Sequence, residues 1–241
     1  MTVSQDIYNK FAPFYRQYSS KKSAYINSID NLVIQNVPKN ADSVLDIGSG
    51  DGVRGFKIYE RLSSSELTQV DNSQGMINAN KDKKGTKLLK LDVTDKNFPK
   101  NLGKYDVILC LWNVLGHIRN NQLRIQTLKN IKSLLKPNGL FFIDVSNRYN
   151  FRYYGLKNAF KNIIKDIIYP NNKNGDFKYQ IKISEKIEIQ AENHFFIDFE
   201  MQNLFKKTTL KIIKRVYVDY DSGKKRNTQF EGQLFYVLKI K

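Results

Sequence analysis

Between Ser43 and Gly52 the chain runs from a short apolar segment, Val44, Leu45 and Ile47, straight into Gly48-Ser49-Gly50-Asp51-Gly52. Behind the glycines, Phe56, Ile58, Tyr59 and Leu62 recur at helical spacing. Strand, glycine turn and helix N-terminus, in that order, form the opening unit of an open α/β sheet. Such sheets bind ligands at the carboxyl ends of their strands. Glycines at that point permit a tight turn and let a ligand approach the backbone.

The same pattern repeats downstream. Glu66 to Val70 reads as a strand ending at Asp71, and a helix begins at Met76. Leu88, Leu89 and Leu91 make a third strand, ending at Asp92. Tyr105 to Trp112 is apolar enough for a strand buried on both faces. A helix follows over Gln122 to Leu135, then a Pro137-Asn138-Gly139 turn and a fifth strand, Leu140 to Val145. Strands alternating with helices predict βαβ units and a parallel sheet.

The flanks differ in texture. Ile7, Tyr8, Phe11, Phe14, Tyr15 and Tyr18 line a helix face that Pro13 interrupts, and a second helix stops near Pro38. After Ser146 the chain becomes rich in Lys, Asn, Tyr and Ile. Phe160 to Ile168 reads as helix, Tyr179 to Ala191 as an alternating hairpin, and Phe199 to Leu210 as helix. Lys211 to Tyr220 and Gln233 to Ile240 read as closing strands. The expectation is one α/β domain over 1–241 with a Rossmann-like, seven-stranded, mostly parallel sheet. A helical cap occupies 1–40, the cofactor-binding core 41–146, a β-rich substrate-lid insertion after strand five 147–195, and a return to the sheet 196–241.

Composition narrows the classes. Hydrophobic residues make up 41% and aromatics 12%, too much apolar surface for a disordered chain. One cysteine excludes a disulfide framework, and two distant histidines argue against a metal site. The first thirty residues hold no secretory apolar run, and Val107 to Trp112, the longest apolar run, is far short of a membrane span. A cytoplasmic protein is expected. The formal charge is +17. Abundant Lys, Asn and Ile together give that charge a purely compositional source, yet the field would still attract phosphates or anionic lipid at low salt.

The glycine loop is compatible with two ligands. Gly50-Asp51-Gly52-Val53-Arg54-Gly55 matches the dinucleotide string G-x-G-x-x-G, but it starts four residues past Asp46 and sets an acid where a pyrophosphate would lie. S-adenosylmethionine carries a sulfonium, an ammonium and a carboxylate, and no phosphate. Asp46, at the strand end beside the glycine loop, suits that charge pattern, and Asp71 and Asp92, ending the next two strands, are placed to accept from ribose hydroxyls and an adenine amine.

The motifs together resemble the class I S-adenosylmethionine-dependent methyltransferases, and those of small-molecule members in particular, over residues 1 to about 146. Leu45-Asp46-Ile47-Gly48-Ser49-Gly50-Asp51-Gly52 is similar to the first motif of that family, and Val70-Asp71-Asn72-Ser73-Gln74-Gly75-Met76-Ile77 to its second strand and helix. Leu91-Asp92-Val93-Thr94 resembles the adenine motif, Tyr105 to His117 the fourth strand, and Leu134 to Leu140 the turn into the fifth. The resemblance implies that Asp46, Gly48, Ser49, Gly50 and Gly52 shape the methionine end of a cofactor site. It implies that Asp71 holds ribose with Asn72 beside it in the cofactor site, that Met76 and Val93 flank adenine, and that Asp92 reads the adenine amine. Leu111 and Trp112 would lie near the sulfonium. His117 is the expected base and Tyr15 the expected cap residue at the methyl. The implied reaction is methyl transfer to N or O of a small-molecule acceptor, anionic acceptors included, with no metal. The rivals are an RNA methyltransferase using the basic surface, an NAD(P)-dependent oxidoreductase, and a cofactor-binding module without turnover.

Overall fold

The computed structural model describes residues 3–80, 85–184 and 187–241. Along the chain come α1 (Val3–Phe11), α2 (Tyr15–Ser20), α3 (Ser23–Asn36), β1 (Ser43–Ile47), α4 (Val53–Leu62), β2 (Glu66–Asp71), α5 (Gln74–Ala79) and β3 (Thr86–Lys90). They are followed by β4 (Tyr105–Cys110), α6 (Asn121–Leu134), β5 (Leu135–Val145), α7 (Phe151–Tyr154), α8 (Leu156–Ile168), β6 (Asp176–Ser184) and β7 (Ile187–His194). The chain closes with α9 (Asp198–Lys207), β8 (Leu210–Val218), β9 (Lys225–Arg226) and β10 (Gln233–Ile240).

The main sheet runs β3-β2-β1-β4-β5-β10-β8-β9. Pairing is parallel from β3 to β5, and β10 enters antiparallel between β5 and β8. The strands number eight, one more than the expected seven. The addition is β9, two residues that pair with Tyr217 and Val218. A segment that short has no alternation to read. The Pro137 turn is also absorbed: Tyr105 pairs with Leu135 and Val107 with Leu140, so Lys136 to Gly139 loops out of the ladder between them.

Period-two alternation splits the strands between two apolar layers. Leu45, Ile47, Ile108, Cys110 and Phe141 face α6 and α9 through Leu128, Ile131, Leu204 and Phe205. Val44, Val107, Leu109 and Phe142 face α3 and α4 through Ile29, Val33 and Ile58. Asp46 shares the parity of Val44, which turns it toward α4.

The cap and the insertion meet over the carboxyl ends of the strands. Pro13 lies in a single 3₁₀ turn, Ala12–Phe14, between α1 and α2. Asn9 of α1 accepts hydrogen bonds from Ser73 Oγ (2.8 Å) and Gly75 N (3.0 Å), holding the cap to the start of α5. Ile7 and Phe11 pack with Met76 and with Ala191 of β7. The insertion is half helical: α7 and α8 precede the β6–β7 hairpin, which forms its own two-stranded sheet. "β-rich" therefore describes only its second half.

Candidate active site

The turn after β1 brings its backbone under a cavity of about 680 Å³. Gly48, Gly50, Asp71, Asn72, Val93, Leu111, Trp112, Tyr15 and His117 all line it, joined by Tyr8, Ile47, Val70, Leu91 and Val114. Gly50 has φ +57°, and a Cβ there would lie 3.1 Å from the Tyr15 hydroxyl. The left-handed conformation and the tyrosine laid on the loop both require glycine. Asp71 accepts from Gly50 N (3.0 Å) and Ser73 N (2.9 Å), two of the roughly four hydrogen bonds a carboxylate can take. Burial raises its pKa.

Asp46 does not line this chamber. Its carboxylate accepts from Gln69 Nε2 (3.3 Å), and Gln69 also donates to Gly52 O (3.0 Å) and accepts from Asn80 Nδ2 (3.2 Å). Burial pushes the Asp46 carboxyl up to about 6. Asp46 opens instead onto an adjoining lobe that it shares with Gly48, Ser49, Asp51, Arg54, Tyr15, Leu111 and Trp112. Arg54 Nε donates to Asp30 (2.5 Å), while Nη1 and Nη2 are buried without a hydrogen-bond partner, as is Ser49 Oγ. Unsatisfied buried donors of this kind are costly. Two free guanidinium nitrogens and a hydroxyl beside an acid form a set suited to an α-amino acid's carboxylate and ammonium.

The exit of β4 is bent. Trp112 (φ 64°) and Asn113 (φ 62°) are consecutive left-handed residues, a strained arrangement for non-glycine side chains. Asp144, at the end of β5, holds it: Trp112 N donates to Oδ1 (2.7 Å), and Tyr25 donates to Oδ2 (2.6 Å). Asn113 N reaches Asp144 O (3.0 Å), and Asn113 Oδ1 accepts from Ser146 N (3.0 Å). The bend lays the indole beside Tyr15 and Tyr18, with ring centroids 5.7 and 6.1 Å away, and Trp112 Nε1 donates to the Tyr220 hydroxyl (3.1 Å).

Beyond Trp112 lies a second cavity of about 1110 Å³. Tyr8, Tyr15, Trp112 and His117 belong to both chambers. Tyr18, Tyr153, Tyr154, Phe177, Tyr179, Phe195 and Tyr220 form the far walls. No carboxylate lines it among the described residues, and Lys178 is its one charged side chain. On the shared wall the Tyr8 hydroxyl lies 2.8 Å from His117 Nε2, with the rings edge to face. Burial lowers the His117 pKa to about 4 and raises that of Tyr8.

Comparison with known proteins decides what this arrangement belongs to. Residues 45–141 match a family model described as a methyltransferase domain. A malonyl-[acyl-carrier protein] O-methyltransferase of Ilyobacter polytropus is 27% identical over 201 residues, covering 80% of this chain and 72% of that protein. An S-adenosylmethionine-dependent methyltransferase from Clostridium acetobutylicum superposes with TM-score 0.64 at 20% identity, covering 97% of this chain and 98% of that one. An amino pentose methyltransferase from Micromonospora echinaspora, solved with S-adenosylmethionine bound, gives TM-score 0.61 at 10% identity, covering 93% and 95%. Residues 45–141 are a methyltransferase domain, and the chain has the fold of the S-adenosylmethionine-dependent methyltransferases.

In this methyltransferase the residues singled out in the sequence fall into three groups. Gly48, Gly50, Asp71, Asn72, Val93, Leu111, Trp112, Tyr15 and His117 converge on the first chamber. Asp46 and Ser49 line the adjoining lobe, and Gly52 starts α4. Met76 and Asp92 line neither. Met76 is buried in the cap cluster, and Asp92 accepts from Thr94 N (2.9 Å) and Thr94 Oγ1 (2.7 Å) in its own turn. The other histidine, His194, is packed away from both chambers between Asp176 (2.6 Å) and Glu200 (2.7 Å). Sequence reasoning missed the pairing of Tyr8 with His117, the bracing of Trp112 by Asp144, and the free guanidinium of Arg54. The available signal was the helical aromatic stripe that already held Tyr8 and Tyr15.

Among the described residues no group of acids, histidines or cysteine is gathered for a metal ion, and no helix is long and apolar enough to cross a membrane.

Proposed function

We propose that this methyltransferase transfers a methyl group to a nitrogen or oxygen of a small molecule held in the aromatic cavity, with His117 and Tyr8 taking the acceptor's proton. The observation that carries the reading is the Tyr8–His117 hydrogen bond on the wall common to both chambers. S-adenosylmethionine, when bound, supplies an electrophilic methyl on a sulfonium. Arg54 and Ser49 would bind its carboxylate and Asp46 would face its ammonium. Asp71 and Asn72 would bind the ribose, and Val93 and Leu91 would lie against the base.

The protein's own contribution is orientation and proton handling. Trp112 and Tyr15 stand between the chambers and restrict the acceptor's approach to one line. Burial keeps His117 neutral, so its ring does not set a positive charge beside the sulfonium and stays open to a proton. The acceptor's N–H or O–H donates to Tyr8 Oη as Tyr8 passes its own proton to His117 Nε2. Tyr8 therefore never has to persist as a tyrosinate, which its burial disfavours. An acceptor without positive charge fits, since the cavity wall offers rings and hydroxyls and no carboxylate among the described residues, and its one lysine, Lys178, is paired with Glu192 (2.8 Å). A 27%-identical relative is a malonyl-[acyl-carrier protein] O-methyltransferase, which supports an oxygen acceptor and leaves a nitrogen one open.

The test is transfer from methyl-labelled S-adenosylmethionine to a panel of small amines, phenols and carboxylic acids, with total RNA as a separate acceptor. Label in a small molecule is expected, falling by about 10²–10⁴-fold in His117→Ala while cofactor binding holds. Label confined to RNA, or undiminished turnover in His117→Ala and Tyr8→Phe, overturns the reading.

A further inference from the structure

Seven of the ten exposed large apolar side chains among the described residues fall between Tyr153 and Tyr169, on and around α8. Leu156, Phe160 and Ile167 are 71%, 65% and 70% exposed. With Ile164 they follow steps of four, four and three, so they form one line along the helix. Lys157, Lys161 and Lys165 form a second line immediately beside it. The helix meets the protein through its opposite side. Ala159 is buried, Asn162 donates to Arg148 O (3.1 Å), and Asp166 is bound by Arg148 (2.8 Å), Tyr149 (2.8 Å) and Asn174 (2.9 Å). Asp166 is the only acid in α8, and it is turned inward, so the outward surface is apolar and cationic without a compensating carboxylate.

From this geometry we infer that α8 docks the protein on an anionic lipid surface. The helix would lie in the interfacial plane with Leu156, Phe160, Ile164 and Ile167 among the acyl chains and the lysine row on the headgroups. A strong amphipathic split, a Lys-rich polar flank and Leu, Phe and Ile on the other face are what interfacial helices need. Tyr153 and Tyr169 bracket the line at its two ends, where aromatic rings favour the headgroup level. Charge complementarity selects the occupant. Three lysines on the face and +17 on the whole chain attract anionic lipid and oppose the approach of a second copy. The insertion that carries α8 also supplies Tyr153, Tyr154 and Phe177 to the aromatic cavity, so docking would place that cavity's cover at the lipid surface.

The test is co-sedimentation of the full chain with vesicles of equal parts phosphatidylglycerol and phosphatidylcholine, against phosphatidylcholine alone, over a salt series. Binding to the anionic vesicles is expected, weakening with salt. Phe160→Glu with Ile167→Glu should lower it by about tenfold or more. Lys157→Gln with Lys161→Gln and Lys165→Gln should lower it and flatten the salt dependence. All five side chains are exposed, and an unchanged melting temperature and cofactor affinity check that folding is intact. No vesicle binding at low salt, or binding indifferent to Phe160→Glu with Ile167→Glu, overturns the inference. So does a dimer in light scattering that those two substitutions disperse. The readout needs neither cofactor nor turnover, so it stands apart from the proposed reaction.

Discussion

Two titratable side chains at the site have been shifted in opposite senses, and each gives a separate signature. Burial raises Asp46 to about 6, so the native state holds its proton more tightly than the unfolded chain does. That contribution to stability is complete below the ordinary carboxylate value and is lost as pH rises through about 6. A cationic ligand reverses the preference, because it favours the ionised acid. Affinity for S-adenosylmethionine should therefore rise by about tenfold between pH 5 and 7, with proton release on binding, and Asp46→Asn should flatten the rise. Calorimetry in buffers of different ionisation enthalpy measures both. His117 is shifted the other way, down to about 4 from 6.5. The native ring prefers to be neutral, so its contribution to stability is present above 6.5 and is lost as pH falls toward 4. At saturating cofactor, kcat should hold down to about pH 5 and fall with an apparent pKa near 4. A fall centred near 6.5 would mean that the ring is solvated during turnover, contrary to its burial.

At the scale of elements, the seating of α4 on β1 shows how far local sequence reaches. Gly50 to Gly55 spells a dinucleotide string, but Asp51 sits inside the loop, its carboxylate accepting from Val53 N (3.2 Å) and Arg16 (3.3 Å). Gly55 is there for close approach. A Cβ at that position would come 2.1 Å from Asp46 Oδ2 and 2.9 Å from Gln69 Nε2. Gly55→Ala should cost about 1–3 kcal/mol through overpacking and weaken cofactor binding together with it. Thermal melting and calorimetry on one sample would report both, and a stable variant with full affinity would refute the packing role. The strand–turn–helix unit was legible because its signal lies within a dozen consecutive residues. Tyr8 and His117 meet across the fold, as do Trp112 and Asp144, and no periodicity reports such a meeting. The left-handed pair Trp112-Asn113 was hidden for a different reason. Asp144 and Asn113 hold it by hydrogen bonds, where a glycine would have announced it. The helical half of the insertion was partly visible, from Phe160 onward, but α7 is a single turn, too short for a 3.6-residue period to show.

Across the whole molecule, the insertion is fastened to the sheet-packing helices by a buried ionic cluster. Arg148 Nε binds Asp166 of α8 (2.8 Å), and its Nη1 binds Glu200 of α9 (3.0 Å) and Phe195 O (2.7 Å). Glu200 in turn meets His194 of β7 (2.7 Å), whose other nitrogen meets Asp176 of β6 (2.6 Å), and Arg124 of α6 lies 3.6 Å from Asp176. One guanidinium thus ties the insertion's helix to a helix of the core. Removing one member of a buried pair leaves the other charges uncompensated, which costs about 3–5 kcal/mol. Arg148→Ala strands both Asp166 and Glu200, and it releases Phe195, whose ring stacks on Tyr154 at 5.3 Å in the aromatic cavity. The cofactor lobe shares no residue with the cluster. The expected outcome is a lower melting temperature and a raised KM for the acceptor, with affinity for S-adenosylmethionine within about twofold of the parent. Melting curves, calorimetry and acceptor titrations separate the three. If the cofactor affinity collapses along with stability, insertion and core unfold as one unit and the cluster is an ordinary part of the core. If acceptor KM alone stays fixed, the insertion keeps its geometry without Arg148.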